Sequence, residues 1–139
     1  MIYDASDMSA RGRIGGYAVC VPVPTVSILE LTAQLAEPAS ASAINDACRE
    51  AAAGPLGRVL GVSESPLVSS DYVGDSHSAV IDTLVTVTVG PLAKIGAWFD
   101  NEWGYSNRVA DLAALVASRG FGRPGALDPG SAATTLAER

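Results

Sequence analysis

AVIDTLVTVTVGPLAKIGAWFD, residues 79–100, decides the fold. Its first half alternates apolar and polar residues, most cleanly in Val85-Thr86-Val87-Thr88-Val89, and a period of two is the mark of a strand with one buried face. Gly90-Pro91 interrupts the run, because proline donates no ladder hydrogen bond. LAKIGAWFD then resumes with β-rich residues, so the stretch reads as a two- or three-strand antiparallel unit. Toward the C-terminus, Val109, Leu112, Ala113 and Val116 recur at helical spacing, which predicts an amphipathic helix from Gly104 to Arg119, stopped by Gly120. Toward the N-terminus, SASAINDACREAAAG (residues 40–54) predicts a helix over about 42–53, with Ser40 or Ser42 as cap and Gly54 as stop.

In GGYAVCVPVPTVSILEL (residues 15–31), Pro22 and Pro24 separate a strand at Gly16 to Val21 from a second at about Thr25 to Leu35. Residues 55–77 are rich in Gly, Pro and Ser, and predict one short strand near Leu60 to Glu64 followed by a long loop. Strands, helix, strands, helix, with no repeated βαβ unit, specify an α+β domain: one mixed, mostly antiparallel sheet with two main helices on one face. The other face of a VTVTV strand needs a cover, and a second copy of the chain is the simplest one. A homo-oligomer through the sheet face is therefore expected.

Composition narrows the partners. A chain of 139 residues fits one domain with a conventional core. Charged residues are 17%, against roughly 25% in soluble domains, which again favours self-association. Nine Lys and Arg against fifteen Asp and Glu leave a charge of -6, which repels nucleic acid and anionic lipid. No run approaches the roughly 20 apolar residues of a membrane span. MIYDASDMSARG opens with two Asp where a signal peptide is basic and then apolar, so a cytoplasmic location is expected. Cys20 and Cys48 lack neighbours at ligand spacing and His77 is the only histidine, so neither a metal site nor a disulfide framework is predicted.

The run Trp98-Phe99-Asp100-Asn101-Glu102-Trp103-Gly104-Tyr105-Ser106-Asn107-Arg108-Val109 resembles the WYDNEWGYSNRV signature of phosphorylating glyceraldehyde-3-phosphate dehydrogenases, departing only at Phe99. Pro66-Leu67-Val68-Ser69-Ser70-Asp71, followed by Gly74-Asp75 and Ser78, is similar to the family's PLVSSD…GD…S loop. Gly16-Tyr17-Ala18-Val19 leading into Val21-Pro22 is a third match. The resemblance covers about residues 12–119 and implies the C-terminal, substrate-side domain, after an irregular leader at 1–11 and before a Gly/Pro/Ala-rich tail at 120–139. The family's dinucleotide-binding half, catalytic cysteine motif and base histidine have no counterpart in these residues, which implies no cofactor and no NAD-dependent dehydrogenase reaction by the chain alone. Gly12-Arg13-Ile14-Gly15-Gly16 neither follows a predicted strand nor opens a helix, so it does not make a nucleotide fingerprint.

The resemblance also implies where a pocket lies. In the family pattern FRVPTPNVS the Arg contacts substrate phosphate; here that position is Cys20, the Thr is Val23 and the Asn is Thr25. An anion loses its forked cation. Asn101 matches the family's contact to the nicotinamide amide, and Tyr105 a tyrosine beside the same ring. The pocket candidates are thus Cys20, Val23, Thr25, Asn101 and Tyr105.

Catalytic candidates are Tyr105, Glu102, His77 and Cys20, each with a structural alternative. Cys20 is a nucleophile or a quiet apolar filler on its strand, since no basic partner is evident. Cys48 reads as packing on its helix. His77 is a general base held by Asp71 or Asp75, or a brace for its loop. Glu102 pairs with Arg108 across the turn, and Trp98 and Trp103 are core or interface anchors. Three functions follow. The first is a repurposed domain that binds a small, relatively apolar metabolite and runs a cofactor-free, non-redox step such as an isomerisation or cyclisation, in keeping with bacterial specialised metabolism. The second is a non-catalytic module that pairs with itself or with a full-length dehydrogenase. The third is half of a split dehydrogenase.

Overall fold

A computed structural model describes residues 15–119. Four strands form one mixed sheet in the order β1-β4-β3-β2, where β1 is Ser27–Gln34, β2 Leu60–Ser63, β3 Ala79–Val89 and β4 Leu92–Phe99. β1 and β3 both pair antiparallel with β4, and β2 runs parallel to β3. Two helices complete the α+β fold: α1, Ala41–Ala53, and α2, Asn101–Arg119.

Local chemistry explains the elements that match expectation. Ser40 caps α1 by accepting the Ala43 N–H at 3.1 Å, and Gly54 follows its last turn. Gly90 takes a positive φ of 57°, which glycine adopts without strain, and lets Val89 pair directly with Leu92 across a two-residue turn. Within the long loop a 3₁₀ turn, Ser69–Tyr72, goes beyond the sequence reading. It carries Tyr72 onto Trp98 in a stacked pair with ring centroids 5.5 Å apart. Tyr72, Val26 and Val80 form the main apolar cluster, and Trp98 packs against it. Val26 is held there at φ 71°, a left-handed conformation that costs a β-branched residue strain.

The strand expected at Gly16–Val21 is not formed. Residues 15–24 are exposed and irregular, and β1 is hydrogen-bonded only to β4, so no described strand offers this segment a ladder partner. Cys20 therefore sits exposed off the sheet and does not fill a strand face.

β3 also departs from the simple alternation. Its register steps from Asp82↔Gly96 to Val87↔Lys94, so residues 83–86 lie opposite Ile95 alone. The bulge frees the Thr83 carbonyl for the Asn45 side-chain amide at 3.2 Å, while the Thr83 hydroxyl donates to the Ser63 carbonyl at 2.8 Å. It also swings Val85 over Gly96, where any Cβ would collide with the valine side chain. Because the step is an odd number of residues, Thr86 is buried, whereas Val87 and Val89 are 52% and 71% exposed. By register they share one face with Ile28, Lys94 and Leu92. The same face carries the Lys94–Glu30 ion pair at 2.7 Å.

The two helices are not equivalent. α1 lies on β2 and β3, burying Asn45. α2 begins three residues before the expected Gly104, because Asp100 caps it. Its Oδ1 accepts the Glu102 and Trp103 N–H groups at 3.1 and 2.9 Å. Gly104 is buried so tightly that a Cβ there would meet the His77 carbonyl oxygen at 2.8 Å. Beyond that turn Val109, Leu112 and Val116 stand exposed. Polar contacts tie down the middle of the helix: Arg58 and Arg108 each reach Asp111 at 2.9 Å, and Arg108 donates to the Arg58 carbonyl and the Ser78 hydroxyl. The expected Glu102–Arg108 pair is replaced by these, since Arg108 turns to Asp111 and Glu102 to Thr25. The leader at 1–11 and the tail at 120–139 lie outside the described residues.

Candidate functional site

The start of α2 and the segment before β1 frame a shallow groove of about 310 Å³, lined by Thr25, Val73, Gly74, Asp100, Glu102, Trp103 and Ser106. The Thr25 hydroxyl donates to Glu102 Oε2 at 2.8 Å across one wall. Beneath it, Asp100 Oδ2 accepts the Gly74 N–H at 2.9 Å. The Gly74 N–H, and after it the Trp103 and Glu102 N–H groups, hold the Asp100 carboxyl below its ordinary range against the opposing push of burial. Asp100 is thus an ionised structural acceptor and a poor acid. Ser27 Oγ lies 3.5 Å from Asn101 Oδ1 beside the groove.

The electrostatics of this groove disfavour phosphate. Helix N-termini attract anions through unpaired N–H groups, but here the Asp100 carboxylate already takes those of α2 and adds its own negative charge. Glu102 adds a second carboxylate, and no lysine or arginine lines the groove. The described residues also supply no glycine turn leading from a strand into a helix, the cradle a pyrophosphate requires.

Among the sequence-derived candidates, the structure brings Thr25 and Glu102 into contact and sets Asn101 alongside. Cys20 and Val23 are exposed and do not line the groove, and Tyr105 is 63% exposed on α2. His77 lies in a different cleft, where its Nδ1 is 2.7 Å from Asp75 Oδ1 and its backbone N–H donates to the same oxygen at 2.8 Å. Asp75, and not Asp71, is its partner; Asp71 Oδ2 accepts the Val68 N–H instead. Cys48 is half-buried, and burial pushes its thiol up despite the nearby Arg49, so it stays protonated and inert at neutral pH. Trp98 joins the core while Trp103 remains half exposed. The groove thus contains neither a thiol nor an imidazole.

Asp100, Gly74 and Tyr72 escaped the sequence reading as site residues. An aspartate directly before a helix is a recognisable capping signal, and Gly74, with φ 80°, needs a residue free to turn left-handed. Tyr72 carried no local signal, because its stacking partner is 26 residues away in sequence. Among the described residues, no three His, Cys, Asp or Glu side chains gather as a metal site, and no helix is long and apolar enough to cross a membrane.

Comparison with known proteins agrees with this architecture. Residues 8–101 match the family described as glyceraldehyde 3-phosphate dehydrogenase, C-terminal domain. The chain is 51% identical over 106 residues to glyceraldehyde-3-phosphate dehydrogenase of Mycolicibacterium smegmatis, covering 76% of this chain and 31% of that protein. It is 48% identical over 112 residues to glyceraldehyde-3-phosphate dehydrogenase 1 of Bacillus subtilis, covering 80% and 33%. The chain thus spans about a third of the length of the curated relatives it matches. With that match over most of its length, and with the mixed α+β sheet the motifs imply, the chain belongs to the glyceraldehyde 3-phosphate dehydrogenase C-terminal domain family.

Proposed function

We propose that this chain works as an assembly domain that pairs with a second copy through the exposed apolar row on one face of its sheet. The observation that carries the reading is an exposed row across three strands, Ile28 of β1, Val85, Val87 and Val89 of β3, and Leu92 of β4, with the threonine side of β3 the buried one. Burying one such side chain contributes roughly 1.5–3 kcal/mol, so a handful meeting their symmetry mates can outweigh the cost of association. The charge of -6 on each copy opposes the contact at long range, so association should strengthen with salt. Light scattering after size exclusion tests the proposal. The expected mass is a multiple of the 14.2 kDa chain, and Val87→Lys together with Val89→Lys should return it to one copy. A wild-type chain that stays single at high concentration overturns the reading. Co-elution only with an intact dehydrogenase would transfer the same face to a heterologous partner.

A second reading rests on the groove at Thr25 and Glu102. Two carboxylates without a cation suit a neutral or cationic metabolite better than a triose phosphate, and any reaction there would be cofactor-free and non-redox. Native mass spectrometry of the chain with a cell extract tests it. A retained small molecule, lost on Thr25→Val, supports the groove; an empty spectrum retires it.

A further inference from the structure

We infer that the outer edge of β1 is a pairing edge, and that its partner is β1 of a second copy, running antiparallel about a twofold axis at Leu31. β1 is the end strand of the sheet, eight residues long and paired with β4 alone. The Leu35 N–H donates to the Pro91 carbonyl at 2.8 Å, which continues the β1–β4 register one pair past Gln34↔Leu92. Backbone groups of an antiparallel strand point alternately toward and away from a given neighbour. The odd-numbered residues therefore bond to β4. The N–H and C=O groups of Ile28, Glu30, Thr32 and Gln34 point outward, with no partner among the described residues.

Natural sheets defend such an edge with proline, lysine, a bulge or shortness. The opposite edge of this sheet is defended, because β2 is only four residues long. β1 has none of these devices. It contains no proline or lysine, its register with β4 is unbroken, and its one charge, Glu30, is paired with Lys94 at 2.7 Å. An edge of this kind is a template for another strand, and its own sequence fits it. The fullest overlap of outward-pointing residues comes from an axis at Glu30 or at Leu31. The first sets two carboxylates face to face, whereas the second opposes Glu30 to the partner's Thr32 and Ile28 to the partner's Gln34. Leu31 then meets its own symmetry mate at a site without hydrogen bonds, where Cα atoms approach to about 4.5 Å. Leu29 and Leu31, each 49% exposed, lose water there. This contact is separate from face pairing. It is the weaker of the two, because its backbone groups give up water in order to pair and little apolar area is buried, so it forms at higher concentration.

The test is amide hydrogen exchange on the whole ¹⁵N-labelled chain from micromolar to millimolar concentration. Leu29, Leu31 and Ala33 should be slow throughout, held by β4, whereas Ile28, Glu30, Thr32 and Gln34 should slow as concentration rises. Face pairing does not produce that alternation, so the two contacts fail separately, and the alternation should persist in the chain carrying Val87→Lys and Val89→Lys. Thr32→Pro removes an outward N–H and no bond to β4, and should abolish the concentration dependence at Ile28, Glu30 and Gln34. Leu31→Lys and Leu31→Glu should each weaken edge pairing more than about tenfold alone, and an equal mixture of the two should restore it, because the axis then opposes unlike charges. The inference is overturned if the even-numbered amides exchange equally fast at both ends of the range, or if they stay slow at every concentration in the Thr32→Pro chain. It is also overturned if the mixture pairs no better than either variant while Leu29 and Ala33 remain protected.

Discussion

α1 and α2 are both amphipathic by sequence, yet only α1 is packed on the sheet. α1 is capped by Ser40, carries half-buried Ile44 and Cys48, and locks onto the β3 bulge through Asn45. α2 is longer and has a clear apolar row, but that row faces solvent beyond its first turn. Periodicity therefore says that a helix has a face to bury; it does not say that this chain supplies the surface. What distinguishes the two is where their anchors reach: Asn45 of α1 bonds to a strand of the sheet, whereas those of α2, at its start and around Arg108 and Asp111, reach residues in the loops.

The largest effect that would break this contrast is at that anchor. Asn45→Ala should destabilise the chain by about 1–3 kcal/mol, because the Thr83 carbonyl loses its donor, and thermal unfolding followed by circular dichroism reads it directly. Next comes Asp100→Asn, which should fray the start of α2 and lower the unfolding temperature at neutral pH. The folded state holds this carboxyl below its ordinary 3.8, so its contribution is present above that pH and lost as pH falls through the folded value. The gap between variant and parent should therefore close in acid, and a gap that stays constant would mean Asp100 acts by shape and not by charge. Arg58→Ala removes an ion pair whose arginine is 85% exposed, and its cost should stay below about 1 kcal/mol. Smallest of all, Leu112→Ala, at a residue 60% exposed, should change the stability of the single chain by less than about 0.5 kcal/mol. A larger loss that appears only at high protein concentration would place the α2 row in a contact between chains.

These contrasts follow what the residues could and could not reveal. The β3–β4 hairpin, β1, β2 and α1 were legible to within a residue or two, because alternation, Gly90-Pro91, Ser40 and Gly54 act locally. The strand at Gly16–Val21 was misread because strand formation depends on a partner, and partnership is not written in the segment itself. Which side of VTVTV is wet was hidden by the bulge at 83–86, a tertiary accommodation to Asn45. The groove was half legible: Glu102 and Asn101 belong to one motif, but Thr25 meets Glu102 across 77 residues. His77 and Asp75, two apart in the chain, were within reach of a sequence reading.

The β3 bulge carries a consequence for how this chain tolerates insertions and deletions. Side chains of a strand alternate sides, so an odd step reverses the parity of every residue after it. Deleting one residue between Thr83 and Thr86 would make the step even, so plain alternation from Asp82 would carry Val87 and Val89 to the face they already occupy. The bulge is thus a slot that can give up a residue by straightening. Lineages one residue shorter at this point would still show their neighbours the same valines.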